Sequence, residues 1–155
     1  MANPAVTAGR EETIRKVYEF LQTQSTLVLS TTGAEGEVHS APLFYLVTEK
    51  LELLWLSAAE TQHSRDLQAK PQAAVSVFRP TFAWQEIAGV QMRGDCQVVD
   101  NLEREGLVVG FRERFGLGDE FAAVVGASRL YRFRPHWARL IDNKQGFGSK
   151  LKLEL

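Results

Sequence analysis

The stretch Leu53–Phe78, LLWLSAAETQHSRDLQAKPQAAVSVF, limits the possible folds more than any other part of the chain. It holds a buried strand, a short polar turn, one amphipathic helix, a proline stop and a second buried strand. The turn and the first helical turn carry Ser57, Thr61, Gln62, His63 and Ser64. These are neutral or weakly basic donors, and a helix start adds free backbone N–H groups. Such a place is a ready anion site, usually for phosphate. The same residues permit a plainer arrangement, in which Thr61 caps the helix while Ser64 and Arg65 face water.

The flanking segments read as antiparallel strands joined by short turns. Residues 1–9 read as a flexible arm. From Arg10 to Gln22 the positions Ile14, Val17, Tyr18 and Leu21 fall at helical spacing, and Phe20 extends that face or meets a partner chain. Ser25–Thr32 and Val38–Val47 form a hairpin around Gly33–Gly36. Pro42 lies inside the second of these strands and cannot donate to a ladder. It therefore belongs at an edge, at a bulge or where a ligand approaches. Leu51–Ser57 is a third strand, the helix Thr61–Ala69 stops at Pro71, and Gln72–Phe78 is a fourth strand.

After the loop 79–85, Glu86–Val99 reads as a long strand with Gly89 and Gly94 as bends or bulges. Asp100 with Glu103 has capping-box spacing and opens a helix to about Phe115, with Leu107, Val108 and Phe111 on its core face. Asp119 caps a short helix to about Val125. Ser128–Phe133 and Trp137–Ile141 read as strand halves around Pro135-His136, and Lys150–Leu155 is a final alternating run. The pattern is α+β, a six-stranded antiparallel split β-barrel with flanking helices in one domain over 1–155. Closing a barrel removes exposed sheet edges.

The bulk numbers exclude several classes. A net charge of −1 over 155 residues gives no electrostatic footprint for nucleic acid. No apolar run is long enough to span a bilayer, and MANPAVTAGREE lacks the basic-then-apolar order of a secretory signal. Cys96 is the only cysteine, so no internal disulfide can form, and a cytoplasmic protein is expected. His39, His63, His136 and Cys96 show no metal-ligand spacing, so no metal site is expected. His39 reads as a groove-facing or solvent histidine. Trp84, Trp137 and Phe147 could cover a flat ring, or serve as core or dimer contacts. Nucleophile elbow, Walker and dinucleotide motifs are missing from the sequence.

The run LSTTGAEGEVHSAPLFYLVTEKLELLWLSAAETQHSRDLQAKPQAAVSVF resembles the pyridoxamine 5′-phosphate oxidase-related FMN-binding split barrels. The matching features are Gly36, Pro42, Ser57, Thr61-Gln62-His63, Lys70-Pro71-Gln72-Ala73-Ala74 and the strand glutamine Gln91 in VQMRG. The C-terminal LIDNKQGFGSK is similar to the YhbP-like bacterial branch. The resemblance implies a homodimer with FMN in a groove between subunits and the phosphate at the start of the helix after the third strand. Carried over, Ser57, Thr61, Gln62 and His63 hold phosphate and ribityl groups. Ala41, Pro42, Leu43 and Phe44 line the ring with backbone groups. Gln91 bonds the flavin's polar edge, and Lys150 reaches the cofactor from the second subunit.

Two departures shape the functional expectation. The family's Arg-Lys pair is Gln62-His63 here. A hydrogen bond to a charged group contributes about 1.5–3 kcal/mol against about 1 for a neutral one. Losing two cations therefore weakens FMN by roughly 1–4 kcal/mol, about ten- to a thousandfold. Protonated His63 would restore one charge, so FMN affinity is expected to rise as pH falls from about 8 to 6. The region Gly146–Lys150 also lacks the Arg-x-His pair with which the true oxidase grips its vitamin substrate, so pyridoxine phosphate oxidation is not expected. The leading reading is a small FMN-dependent oxidoreductase of unknown substrate with no identified catalytic residue. The alternative is a non-catalytic dimeric split-barrel binding protein with weak or no flavin affinity. Haem handling, known among relatives of this fold, ranks third.

Overall fold

The computed structural model describes residues 4–155, with side chains from Gly9 onward except that of Asn101. Helix α1 spans Pro4–Gln22. It starts six residues before the expected Arg10, because proline suits the first helical position, where its missing N–H costs nothing. The expected arm is thus helical from Pro4, and residues 1–3 lie outside the described residues. Val17 and Leu21 are fully buried, and Ile14, Tyr18 and Phe20 pack beside them, as the spacing predicts.

The strands are β1 (Thr26–Thr32), β2 (Val38–Phe44), β3 (Leu46–Val47), β4 (Leu53–Ser57), β5 (Gln72–Phe78), β6 (Ala88–Val98), β7 (Arg129–Asp142) and β8 (Lys150–Glu154). Helix α2 (Gln62–Ala69) joins β4 to β5, while α3 (Asn101–Phe115) and α4 (Ala122–Ala127) join β6 to β7. The antiparallel order is β2-β1-β5-β6-β7-β4-β3, with β8 paired to β7. The first and last strands of that order, β2 and β3, are separated only by Tyr45. The sheet therefore curls round on itself as a split barrel. The six expected strands are β1, β2 with β3, β4, β5, β6 and β7, and β8 is an addition. Tyr45 is fully buried, and its hydroxyl donates to the Leu21 carbonyl at 2.6 Å, which fixes the end of α1 against the barrel.

Inside lie Leu27, Leu29, Leu53, Trp55, Val77, Val90, Met92 and Phe133. Period-2 alternation on β1, β5 and β6 sends Leu27, Leu29, Val77, Val90 and Met92 inward and their neighbours outward. β4 is apolar on both faces, as an interior strand should be, because on its other side Leu54 packs in a second cluster with Val99 and Leu130, against which Leu107 of α3 lies. β4 starts at Leu53 rather than Leu51. Leu51 adopts φ 61° and closes the turn with its N–H on the Thr48 carbonyl at 2.8 Å. Complete burial of its side chain offsets the cost of this left-handed backbone.

β7 runs unbroken through Pro135, where two halves are expected. The reason is a bulge. Arg93 pairs with Trp137 but Gly94 pairs with Pro135, so His136 is the extra residue and Pro135 meets no regular ladder donor site. A Cβ on Gly94 would lie 2.1 Å from the Arg134 carbonyl oxygen and 2.8 Å from Pro135 Cα. Gly94→Ala is expected to cost about 2 kcal/mol or more, since the neighbour is backbone and cannot step aside. A chemical-denaturation midpoint unchanged by the substitution would contradict this closure. Gly89 pairs regularly with Phe78 and Ile141 and marks no bulge. Asp100 caps α3 by accepting from the Leu102 and Glu103 N–H groups at 2.9 and 3.2 Å. Asp119 is not a cap. It bonds Arg112 at 3.0 Å and opens a short 3-10 turn that leads into α4. No helix among the described residues is long and apolar enough to cross a membrane.

Candidate anion and cofactor site

β4 ends at Ser57 and α2 begins five residues later, so the end of a buried strand delivers its last side chain to the mouth of a helix. Ser57 Oγ lies 2.7 Å from His63 Nε2 and 3.2 Å from Thr61 Oγ1. Thr61 Oγ1 is also 3.1 Å from His63 Nε2, 2.8 Å from Ser64 Oγ and 3.0 Å from the Ala58 carbonyl. Thr61 occupies the cap position but makes no side-chain capping bond. Its hydroxyl turns into the cluster instead, so the first-turn N–H groups of α2 receive no cap from it. Ser57 and His63 are only 8% and 9% exposed, so the cluster is a narrow cradle rather than an open surface.

Burial holds the His63 pKa below its usual value, against a smaller opposing pull from Asp66. His63 is therefore a neutral hydrogen-bonding group through most of the range from pH 8 to 6. The expected recovery of charge moves to lower pH.

Gln62 does not point its amide freely at the helix mouth. Its Nε2 donates to Asp66 Oδ1 at 2.8 Å, and its Oε1 accepts from Arg65 Nη2 at 2.9 Å. Arg65 also donates to the Glu60 carbonyl, so this cation folds back across the first turn of the helix.

Asp66 is the residue that sequence reasoning missed. It is 3% exposed, and its Oδ2 accepts from Thr31 Oγ1 at 2.7 Å and lies 2.8 Å from His39 Nδ1. Thr31 and His39 face each other across the β1–β2 pair. Together they tie the hairpin to the start of α2. Burial alone would raise the Asp66 pKa, but the bonds from Thr31, Gln62 and His39 outweigh it and hold the carboxyl below the usual range. His39, expected to face groove or solvent, is half-buried on this carboxylate.

On β2, Ala41 and Leu43 turn to the half-buried side, while Pro42 and Phe44 are exposed on the outer face. Phe44 stacks on Phe115 at 4.8 Å. Pro42 sits on an edge strand opposite Val28, one of the three places expected for it. Gln91 lies on the outer face of β6, and its Oε1 accepts from Arg139 Nε at 3.0 Å and from Arg139 Nη2. Lys150 is exposed on β8 opposite Ile141. The structure thus brings Ser57, Thr61 and His63 together. Gln62 turns to Asp66, and Gln91 and Lys150 make no hydrogen bond to the α2 cluster. Trp84 and Phe147 meet edge-on at 5.6 Å on the surface. Among the described residues, no three His, Cys, Asp or Glu side chains gather as a metal site.

A family model described as pyridoxamine 5′-phosphate oxidase matches residues 14–142. The chain belongs to this family. It is 31% identical over 112 residues to a UPF0306 protein from Cronobacter sakazakii, covering 72% of this chain and 74% of that one. A second UPF0306 protein, from Pasteurella multocida, is 21% identical and covers 89% of each chain. Among solved structures, HutZ, the heme storage protein from Vibrio cholerae, superposes with a TM-score of 0.67. The two are 19% identical, over 78% of this chain and 88% of that one, so this likeness speaks to the fold alone. At the α2 mouth the chain keeps hydroxyls and first-turn amides that Thr61 leaves uncapped, donors of the type that bind anions. It departs in having no cation on Gln62 or His63.

Proposed function

We propose that the protein binds FMN between two copies of the chain and acts as a small flavin-dependent oxidoreductase. The observation that carries this is the hydroxyl–imidazole cluster of Ser57, Thr61, His63 and Ser64 at the uncapped start of α2. Ser57, Thr61 and the first-turn amides would hold the phosphate. The outer β2 face around Pro42 and Phe44 would meet the ring. Bound FMN would supply the electron transfer, and the protein's part is to orient it, exclude water and set its electrostatics. The exposed Val38, Phe44 and Phe78 on the outer face of the sheet support a second copy lying there. A cytoplasmic location is part of the same proposal.

The test is a flavin-fluorescence titration of the flavin-free protein at several pH values, with light scattering to count copies. Saturable quenching by a dimer supports the reading. Because His63 is held neutral, affinity is expected to stay flat from about pH 8 to 7 and to tighten only below about 6.5, until the phosphate itself protonates near 6. No response to FMN at any pH would leave the second reading, a split-barrel binding protein without flavin. The buried state of Ser57 and His63 and the engaged Gln62 favour that reading. A Soret band on adding haemin to a protein that ignores FMN would turn the proposal toward haem, which HutZ stores.

A further inference from the structure

The end of β5, the start of β6 and the end of β7 open into a cavity of about 610 Å³ against α1. This is the size of a small-molecule pocket. Its apolar lining is Phe20 on α1, Ala88 on β6, Leu140 on β7 and Leu151 on β8. Arg79 and Asp142 line it as well, and none of the residues expected to hold flavin does. The Arg79 N–H donates to the Ala88 carbonyl at 3.0 Å, and Ala88 pairs with Asp142 across the β6–β7 ladder. The three residues therefore form one row across three strands. Adjacent strands lie about 4.8 Å apart, so the cation and the carboxylate are rooted about 10 Å from each other. In the row between them stands only the methyl group of Ala88.

The charges around the cavity are mostly matched, and two are not. Glu19 bonds Arg15, Lys16 lies 3.3 Å from Glu12, and Lys144 lies 3.9 Å from Glu86. Arg79 and Asp142 remain. Among the described residues the Arg79 side chain forms no hydrogen bond or ion pair, and its guanidinium rests over the Phe20 ring, 6.0 Å from the centre. Asp142 accepts the Lys144 N–H through Oδ1 at 3.0 Å, which leaves Oδ2 without a partner among the described residues. Opposite charges that face one cavity without meeting attract a ligand that carries both signs in reverse. A guanidinium grips a carboxylate through two parallel N–H bonds, and a carboxylate accepts from an ammonium. The apolar lining beside them suits hydrocarbon on the same ligand.

We propose that this cavity binds an apolar zwitterion, an α-amino acid with a large hydrocarbon side chain. Its carboxylate meets Arg79, its ammonium meets Asp142 Oδ2, and its side chain lies on Phe20, Leu140 and Leu151. The site is separate from the α2 cluster, and its occupation does not depend on flavin.

The experiment titrates the full chain, freed of flavin, with L-phenylalanine, using calorimetry and saturation-transfer NMR as readouts. 3-Phenylpropionate lacks the ammonium and phenethylamine lacks the carboxylate. Each is expected to bind at least about tenfold more weakly than phenylalanine, because each loses one set of charge-assisted hydrogen bonds. Arg79→Ala is expected to weaken phenylalanine about tenfold without weakening phenethylamine. Asp142→Asn is expected to weaken phenylalanine about tenfold without weakening 3-phenylpropionate, while its amide oxygen still accepts the Lys144 N–H. Arg79 is exposed, so its loss leaves the core intact, and circular dichroism verifies the folding of both variants. An acid or an amine that binds as tightly as phenylalanine, no binding of phenylalanine, or full phenylalanine affinity in the folded double variant would overturn the proposal. Neither substitution is expected to alter the FMN titration, so either site can fail while the other stands.

Discussion

Asp66→Ala is expected to lower the unfolding free energy by about 3 kcal/mol, the cost of breaking a buried charged hydrogen-bond set. For a chain of this size that corresponds to a drop in thermal midpoint of roughly 6–12 °C. The carboxylate has no water to fall back on at 3% exposure, and its removal strands the buried Thr31 hydroxyl and frees His39 and Gln62 from the hairpin–helix tie. Asp66→Asn keeps the shape but turns one acceptor into a donor facing other donors, so an intermediate loss is expected. Scanning calorimetry decides it. A midpoint within about 2 °C of the parent for Asp66→Ala would show that the hairpin and α2 are held by packing alone.

The same residue gives a signature in acid. The folded pKa of Asp66 is depressed, so its contribution is complete above its unfolded value near 3.9 and disappears as pH falls through the folded value. His63 is also depressed, but as a base. The unfolded chain takes up that proton first, so stability begins to fall below about pH 6.5. Two successive acid losses are expected, and a His63→Gln variant should show only the later one.

Gln62→Arg is the substitution expected to change ligand binding most. Gln62 is exposed on the first turn of α2, so the longer side chain fits without repacking. Exchanging a neutral donor for a cation adds about 1–2 kcal/mol toward a phosphate, which is about a five- to thirtyfold tighter FMN constant. Riboflavin, which lacks the phosphate, should show no gain. Equal effects on both flavins, or none on FMN, would remove the phosphate from the mouth of α2.

Much of the fold was open to reading because local chemistry repeats along the chain. Alternation placed β1, β5 and β6, Pro71 ended α2, and Asp100 announced α3. Errors arose where a distant partner decides the local shape. Pro135 interrupts a strand by its own chemistry, yet Gly94, forty-one residues earlier, provides the bulge that carries β7 through it. Leu51 looked like strand because nothing in its type betrays a left-handed turn, and only its burial sustains one. The site divided in the same way. Ser57, Thr61 and His63 are close in sequence, and their cluster was foreseeable. Asp66 draws its partners from Thr31 and His39, and Arg79 shares a row with Asp142 through cross-strand register, so neither could be found from spacing. Thr61 was readable as a cap by type, but four neighbouring polar groups compete for its hydroxyl and win.

β2 pairs with β1 on one side only, and Pro42 stands midway along it. A rim lacking an amide hydrogen at its centre is a poor template for strand addition. Under the proposed pairing of two copies, a contact along this rim would be disfavoured and a contact through the side chains of the broad faces favoured, so that a molecule held there would be sandwiched between walls instead of being threaded along a backbone.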